Sequence, residues 1–167
     1  MTIAAFDRLD KSEKKKLLQQ CCGSSVWVDK MLKMPPAEDL IDLFEDSEAA
    51  WYDCNENDWK EAFLHHPRIG DINELRQKFS TNHFAANEQS SVNDASERSL
   101  KLLAEGNKLY EEKFGYIFIV CATGKSADEM LEILNMRLQN PAEVEIKIAM
   151  EEQNQITKLR LENILTN

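Results

Sequence analysis

The sequence predicts an all-α fold, a single-domain bundle of several helices, and three observations carry that prediction. Only 5 of the 167 residues are Gly and 4 are Pro, too few to turn the many hairpins of an all-β chain. Leu, Glu, Lys, Met, Gln and Ala are plentiful, and these side chains lose little rotamer freedom in a helix. Capping residues recur just ahead of apolar side chains spaced three and four apart. With 43% hydrophobic and 30% charged residues the chain has the balance of a packed domain rather than a disordered segment. Its length is that of one core, so residues 1–167 are expected to form one domain.

Taken in order, Asp10-Lys11-Ser12-Glu13 has the spacing of a capping box, and Leu17, Leu18 and Cys21 place a first helix up to about Cys22. Ser25 is expected to cap a turn-rich segment with Val26, Trp27, Met31 and Leu32 in helical register, which Pro35-Pro36 ends. Leu40, Leu43 and Phe44 mark a third helix, and Ala49 to Tyr52 suggest another short one. After Asn57-Asp58, the residues Trp59, Ala62, Phe63 and His66 fall on one helical face. Pro67 disfavours the helical conformation of the residue before it, so His66 is expected at the helix end or just past it.

Ile72, Leu75 and Phe79 suggest a short helix, and the polar, unperiodic stretch from Ser80 to Ser91 a loop. From Asn93, residues Ala95, Leu102, Leu103, Leu109 and Tyr110 support a long helix closed at Phe114-Gly115. The β-prone run Tyr116 to Cys121 is expected to be buried and extended. Ser126 with Glu129, then Asn140-Pro141 with Glu143, start two further helices, the second with proline at its first position. The last is expected to run to about Leu165 with a buried stripe of Val144, Ile148, Ile156, Leu159 and Ile164.

Charge and cysteine usage narrow the function classes. Lys and Arg total 20 against 30 Asp and Glu, a net charge of −10 that repels a phosphate backbone, so nucleic acid is not an expected partner. Cys21, Cys22, Cys54 and Cys121 have no Cys-x-x-Cys or Cys/His zinc spacing. Met1 to Asp10 has no signal-peptide pattern, no run reaches the roughly 18 apolar residues of a membrane span, and Leu165-Thr166-Asn167 is not a retrieval signal. The expectation is a cytoplasmic protein that does not engage a membrane.

Three side chains could carry chemistry. His66, at the end of an aromatic-bearing helix, suits proton transfer near neutrality, although most histidines are structural or on the surface. Its neighbour His65 lies on another side of the helix, and the pair lacks the i, i+4 spacing of metal ligands, so no metal site is expected. Arg68-Ile69-Gly70-Asp71 reads as a turn able to hold His66. Glu88 is an acid in a polar loop, where it could simply be solvated. Arg160 sits four residues from both Ile156 and Ile164, near the expected buried stripe. It is either a snorkelling or ion-paired arginine or an anion-binding fork.

These residues belong to longer stretches. His66-Pro67-Arg68-Ile69-Gly70-Asp71, Asn87-Glu88-Gln89-Ser90, Tyr110 to Ala122 and Glu152 to Leu161 together resemble the 2-oxo-4-hydroxy-4-carboxy-5-ureidoimidazoline (OHCU) decarboxylases of urate degradation. Four motifs in the family's order span nearly the whole chain. The resemblance implies the family's all-helical fold, a homodimer, no metal or organic cofactor, and a small ureidoimidazoline as substrate. It also implies His66, Glu88 and Arg160 as catalytic residues, with Pro67, Ala85, Gln89, Phe118, Ile119, Val120, Cys121 and Ala122 lining the substrate. Ala85 stands where a serine is common in the family and Ser91 where a glycine is common, which alters binding detail without removing an acid, base or cation.

Such a substrate carries its carboxylate beside a C=N bond, and that bond can accept the electron pair released with CO2. The ring thus supplies the electron sink for which other decarboxylases need a cofactor. Two other readings fit the bare residues. A hydrolase of a related ureide would use the same His and Glu to activate water, and a helical interaction module would need neither.

Overall fold

The computed structural model describes residues 1–66, Ile72, Asn73, Leu75, Arg76 and 89–166, with side chains for all of these except 89–96 and 166. Among the described residues there are eight helices and no strand. They are α1 (Ile3–Asp7), α2 (Lys11–Cys21), α3 (Ser25–Met31), α4 (Leu40–Tyr52), α5 (Glu56–Leu64), α6 (Gln89–Phe114), α7 (Ala127–Arg137) and α8 (Ala142–Thr166). The chain divides into two compact units, one of Met1–His66 with Ile146–Asn167 and the other of Pro67–Glu145. No helix of the described residues is long and apolar enough to cross a membrane.

In the first unit each helix starts at a side-chain cap. Helix α1, not anticipated, is five residues long with one buried side chain, Phe6, too short to show a period; Thr2 accepts from Ala5 N at 3.2 Å. Asp10 accepts from the backbone N–H of Ser12 and Glu13 at 2.8 and 2.9 Å, opening α2 as expected. The cap of α3 is Ser24 rather than Ser25; Ser25 is the first helical residue and donates from both N and Oγ to Glu61. Asp39 caps α4, which continues through Tyr52, so the two segments expected there are one helix. Asn55 and Asp58 form the capping box of α5, which begins at Glu56, ahead of the expected Asn57-Asp58 start.

The apolar faces of these helices meet in one cluster that includes Phe6, Leu18, Trp27, Val28, Leu43, Trp51, Met150 and Leu161. Each such side chain contributes about 1.5–3 kcal/mol when fully buried. The two largest also satisfy their polar edges: Trp27 Nε1 donates to Ser47 O and Trp51 Nε1 to Met150 O, both at 3.0 Å.

In the second unit α6 lies against α7. Gly106 permits the close approach, because a Cβ there would stand 2.5 Å from Leu134 Cδ2, and Leu134 is fully buried. Gly115, at φ +79°, ends α6 with its N–H on Glu111 O, the left-handed cap the sequence indicated. Helix α6 starts at Gln89, so residues 89–91 are helical rather than part of a loop; the rest of that expected loop lies outside the described residues. Ile72, Asn73, Leu75 and Arg76 are helical, in line with the short helix expected there. Residues 116–122 form no helix or strand, with Tyr116, Ile119 and Cys121 buried. Ser126 and Glu129 form the capping box of α7 as expected.

Helix α8 corrects the expected stripe. Val144 is exposed, and Ile148, Ile156, Leu159 and Ile164 are only half-buried. The buried positions are Glu145, Ile146, Ala149, Met150, Gln153, Asn154, Thr157 and Leu161, half of them polar. Pro141 stands at the cap position of α8, before its first helical residue; its carbonyl accepts from Val144 and Glu145 N–H.

Candidate active site

In the first unit α5 ends at Leu64, His65 is its C-cap, and His66 follows with its N–H on Phe63 O at 3.2 Å. His66 is half-buried where Leu64 is 81% exposed, so the chain turns the second histidine inward just as the helix stops. Its Nε2 meets Gln153 Oε1 of α8 at 2.5 Å. Gln153 is fully buried; its Nε2 donates to Thr157 Oγ1 at 3.1 Å, and Thr157 donates to Gln153 O at 2.9 Å. The Cys22 thiol adjoins Thr157, and burial above all pushes it up to about 12.

His65 sits on Gly23. A Cβ at Gly23 would be 2.3 Å from the His65 ring and 2.5 Å from its Cβ, so glycine is the residue this contact admits. The His65 Nδ1 faces Glu61 O at 3.0 Å, and a carbonyl only accepts, so Nδ1 carries the hydrogen.

Arg160 lies on the same side of α8 as Gln153 and Thr157, at i+7 and i+3. Seven residues correspond to about 10 Å along the helix axis. Its Nη1 donates to Cys21 O at 3.1 Å and to Gln20 O at 3.4 Å, closing the C-terminal end of α2 with a positive charge. Nε and Nη2 make no hydrogen bond among the described residues, and the side chain is half-exposed. The partners of Nη1 are thus backbone carbonyls, not the carboxylate of an ion pair. Burial raises the nearby Cys21 thiol to about 12, against the opposing effect of this guanidinium.

In the second unit the structure describes Phe118 to Ala122. Ile119 O accepts from Arg137 Nη1 at 2.6 Å, and Cys121 O from Lys125 Nζ at 2.7 Å. The Arg137 guanidinium lies 4.7 Å from the centre of the Phe118 ring, with Tyr110 edge-on to that ring at 5.2 Å. Arg137 is itself held by Glu145: Nε–H donates to Oε1 at 2.7 Å and Nη2 lies 2.6 Å from it. Tyr110 Oη also donates to Glu145 Oε1, and Asn140 Nδ2 to Oε2 at 2.9 Å. Burial first, and then the Glu145 acceptor, hold the Tyr110 hydroxyl well above the usual phenol range.

Of the expected site residues, the structure thus brings His66 and Arg160 to one side of α8 within the first unit. It places Phe118, Ile119, Val120, Cys121 and Ala122 in the second. Gln89 opens α6, with its side chain outside the described residues, and Pro67, Ala85 and Glu88 lie outside them entirely. Sequence reasoning did not single out Gln153, Thr157, Gly23, Arg137 or Glu145. For Glu145, Gln153 and Thr157 the one signal was polar residues at i, i+8 and i+12 on a helix otherwise rich in Ile and Leu, and Gly23 and Arg137 gave none. Among the described residues no three His, Cys, Asp or Glu side chains group as metal ligands would.

The family model for OHCU decarboxylase matches residues 7–162. Among curated proteins, the chain is 36% identical over 148 residues to the uric acid degradation bifunctional protein TTL of Arabidopsis thaliana, covering 88% of this chain and 46% of that one. It is 26% identical over 171 residues to the uric acid degradation bifunctional protein of Bacillus sp. (strain TB-90), covering 98% of this chain and 32% of that one. The chain thus spans less than half the length of either relative. Among solved structures it resembles an OHCU decarboxylase crystallised in the presence of (S)-allantoin, with a TM-score of 0.72, 34% identity, and 89% of this chain and 96% of that one covered. The inward-turned histidine, the arginine of the last helix and the all-helical fold thus sit in a chain that belongs to the OHCU decarboxylase family.

Proposed function

We propose that this chain decarboxylates OHCU to (S)-allantoin and CO2, a step of urate degradation. The observation that carries the reading is His66 turned in from the end of α5 and hydrogen-bonded to buried Gln153, with Arg160 on the same side of α8. His66 takes the ring-hydroxyl proton as the bond to the carboxylate carbon breaks. The released electron pair enters the adjacent C=N bond, whose nitrogen is protonated, and the ureido-bearing carbon then takes a proton on one face. The net change is one CO2 released and one proton taken up.

Arg160 holds a substrate oxygen through the guanidinium edge directed away from Cys21, a local cation in a chain of net charge −10. Glu88 accepts from the ureido N–H groups of the substrate. Pro67, Ala85, Gln89 and the segment Phe118 to Ala122 line the substrate and fix the ring. The reaction needs no metal or organic cofactor, because the substrate's own ring is the electron sink. The two compact units work as one domain, a reading supported by a family match that runs through both. We place the enzyme in the cytoplasm as a homodimer; the four cysteines, none disulfide-bonded, accord with a reducing compartment.

The test is to add the protein to freshly generated OHCU and follow CO2 release together with the optical activity of the allantoin formed. One enantiomer made faster than the spontaneous decay supports the reading. Racemic product at the spontaneous rate refutes it, and a product that has gained water points to the hydrolase. Light scattering at twice the chain mass supports the homodimer.

A further inference from the structure

The nitrogen of His66 that does the chemistry can be worked out from the groups behind it. Thr157 has one hydroxyl proton, which goes to Gln153 O, a carbonyl that can only accept. Towards the Gln153 side chain, Thr157 Oγ1 is therefore an acceptor, and the amide must present its NH2 group there. The opposite end of the amide, Oε1, is consequently what faces His66. An amide oxygen cannot donate, so the hydrogen between them resides on the histidine Nε2. With Gln153 fully buried and Thr157 nearly so, water does not compete for these bonds.

We infer that Gln153 and Thr157 are positioning residues: they hold neutral His66 as its Nε2–H tautomer, which makes Nδ1 the nitrogen that takes the substrate's hydroxyl proton. The kinetic part of this inference rests on the proposed decarboxylase reading, and the tautomer itself does not. The arrangement costs nothing at the moment of reaction, since the ring's orientation and protonation are set before substrate arrives. His65 provides an internal contrast, because its contact with Glu61 O requires the opposite tautomer, with the hydrogen on Nδ1.

The experiment is NMR on the whole protein labelled with 15N-histidine, at a pH where the rings are neutral, with His66→Asn to assign the signal. Wild-type His66 should show a protonated Nε2 and an unprotonated Nδ1, with His65 reversed. Gln153→Leu removes the acceptor and should give His66 a mixture of tautomers, with kcat down about tenfold and KM little changed, the scale of losing one ordinary hydrogen bond. Should Gln153→Leu fail to fold, Thr157→Val frees the amide to rotate and should also mix the tautomers, whereas Thr157→Ser keeps the hydroxyl and should restore both signal and kcat. Wild-type His66 carrying its hydrogen on Nδ1, or an unchanged His66 signal in both Gln153→Leu and Thr157→Val, overturns the inference. An Nε2–H signal in a protein that does not turn over OHCU leaves the tautomer standing and refutes the decarboxylase reading instead.

Discussion

Replacing Glu145 by Gln tests whether the second unit depends on a buried charge pair. The carboxylate is fully buried and accepts from Arg137, Tyr110 and Asn140, while the Arg137 side chain is 6% exposed. Glutamine keeps the shape, and an amide flip of Asn140 can restore the bond at the second oxygen. The charge is what disappears, leaving a guanidinium out of water with no counter-ion. Breaking a buried pair on one side costs about 3–5 kcal/mol. For a chain of this size each kcal/mol lowers Tm by about 2–4 °C, so the midpoint should fall by about 6–20 °C, read by far-UV circular dichroism and checked by urea unfolding. The double variant Arg137→Met with Glu145→Leu removes both charges and should regain most of the stability. It should nonetheless keep a raised KM for OHCU, because Ile119 O has lost the Arg137 donor that fixes the segment carrying Phe118 to Ala122. A Glu145→Gln midpoint within about 2 °C of wild type, on the same scale, would refute the reasoning.

Further substitutions and conditions probe the first unit. Arg160→Lys keeps the charge but loses the planar fork, so KM should rise several-fold in steady-state kinetics while His66→Asn mainly lowers kcat; the reverse split would reassign the two roles. Gly23→Ala should cost about 1–3 kcal/mol and lower kcat, because rotating the His65 ring cannot relieve the clash with its Cβ and the backbone leading into His66 must shift. Burial raises Cys21 and Cys22 to about 12 and Cys54 to about 11, so the folded chain keeps protons the unfolded chain releases. The stability from this source is complete below the ordinary thiol value near 9.0 and is lost as pH rises from there towards 11 and 12. Urea midpoints measured across that range should fall, and Cys22→Ala, although less stable at about pH 8, should show the shallower fall.

What could be read from the sequence follows the range of the interaction that determines it. Asp10, Ser126 with Glu129, and Gly115 act on backbone within four residues, and each was legible as a helix boundary. The position of His66 was equally legible, because Pro67 constrains its neighbour whatever the rest of the chain does. Ser24 against Ser25 was not: two adjacent serines both suit a cap, and what decides is Glu61, 36 residues away, which holds Ser25. Gly23 has no local signal because the side chain it accommodates, that of His65, comes from the end of a different helix. The largest misreading, the stripe of α8, has the same origin. Glu145, Gln153, Asn154 and Thr157 look like a solvated face by polarity, and only knowledge of their partners reverses that.

The polar interior of α8 also bears on why its residues divide as they do. A buried amide or carboxylate costs least where it is hydrogen-bonded, so each such bond ties the helix to a particular partner. Gln153 answers to His66, Thr157 to Gln153, Glu145 to Arg137 and Tyr110, and Arg160 to the last carbonyls of α2. An apolar stripe would hold the helix about as firmly, but it would accept small rotations and slides, since apolar contacts have no direction. Hydrogen bonds do not accept them. The identity of the polar residues on α8 therefore fixes register as well as stability, and it does so at the positions that meet the His66 ring and the last carbonyls of α2.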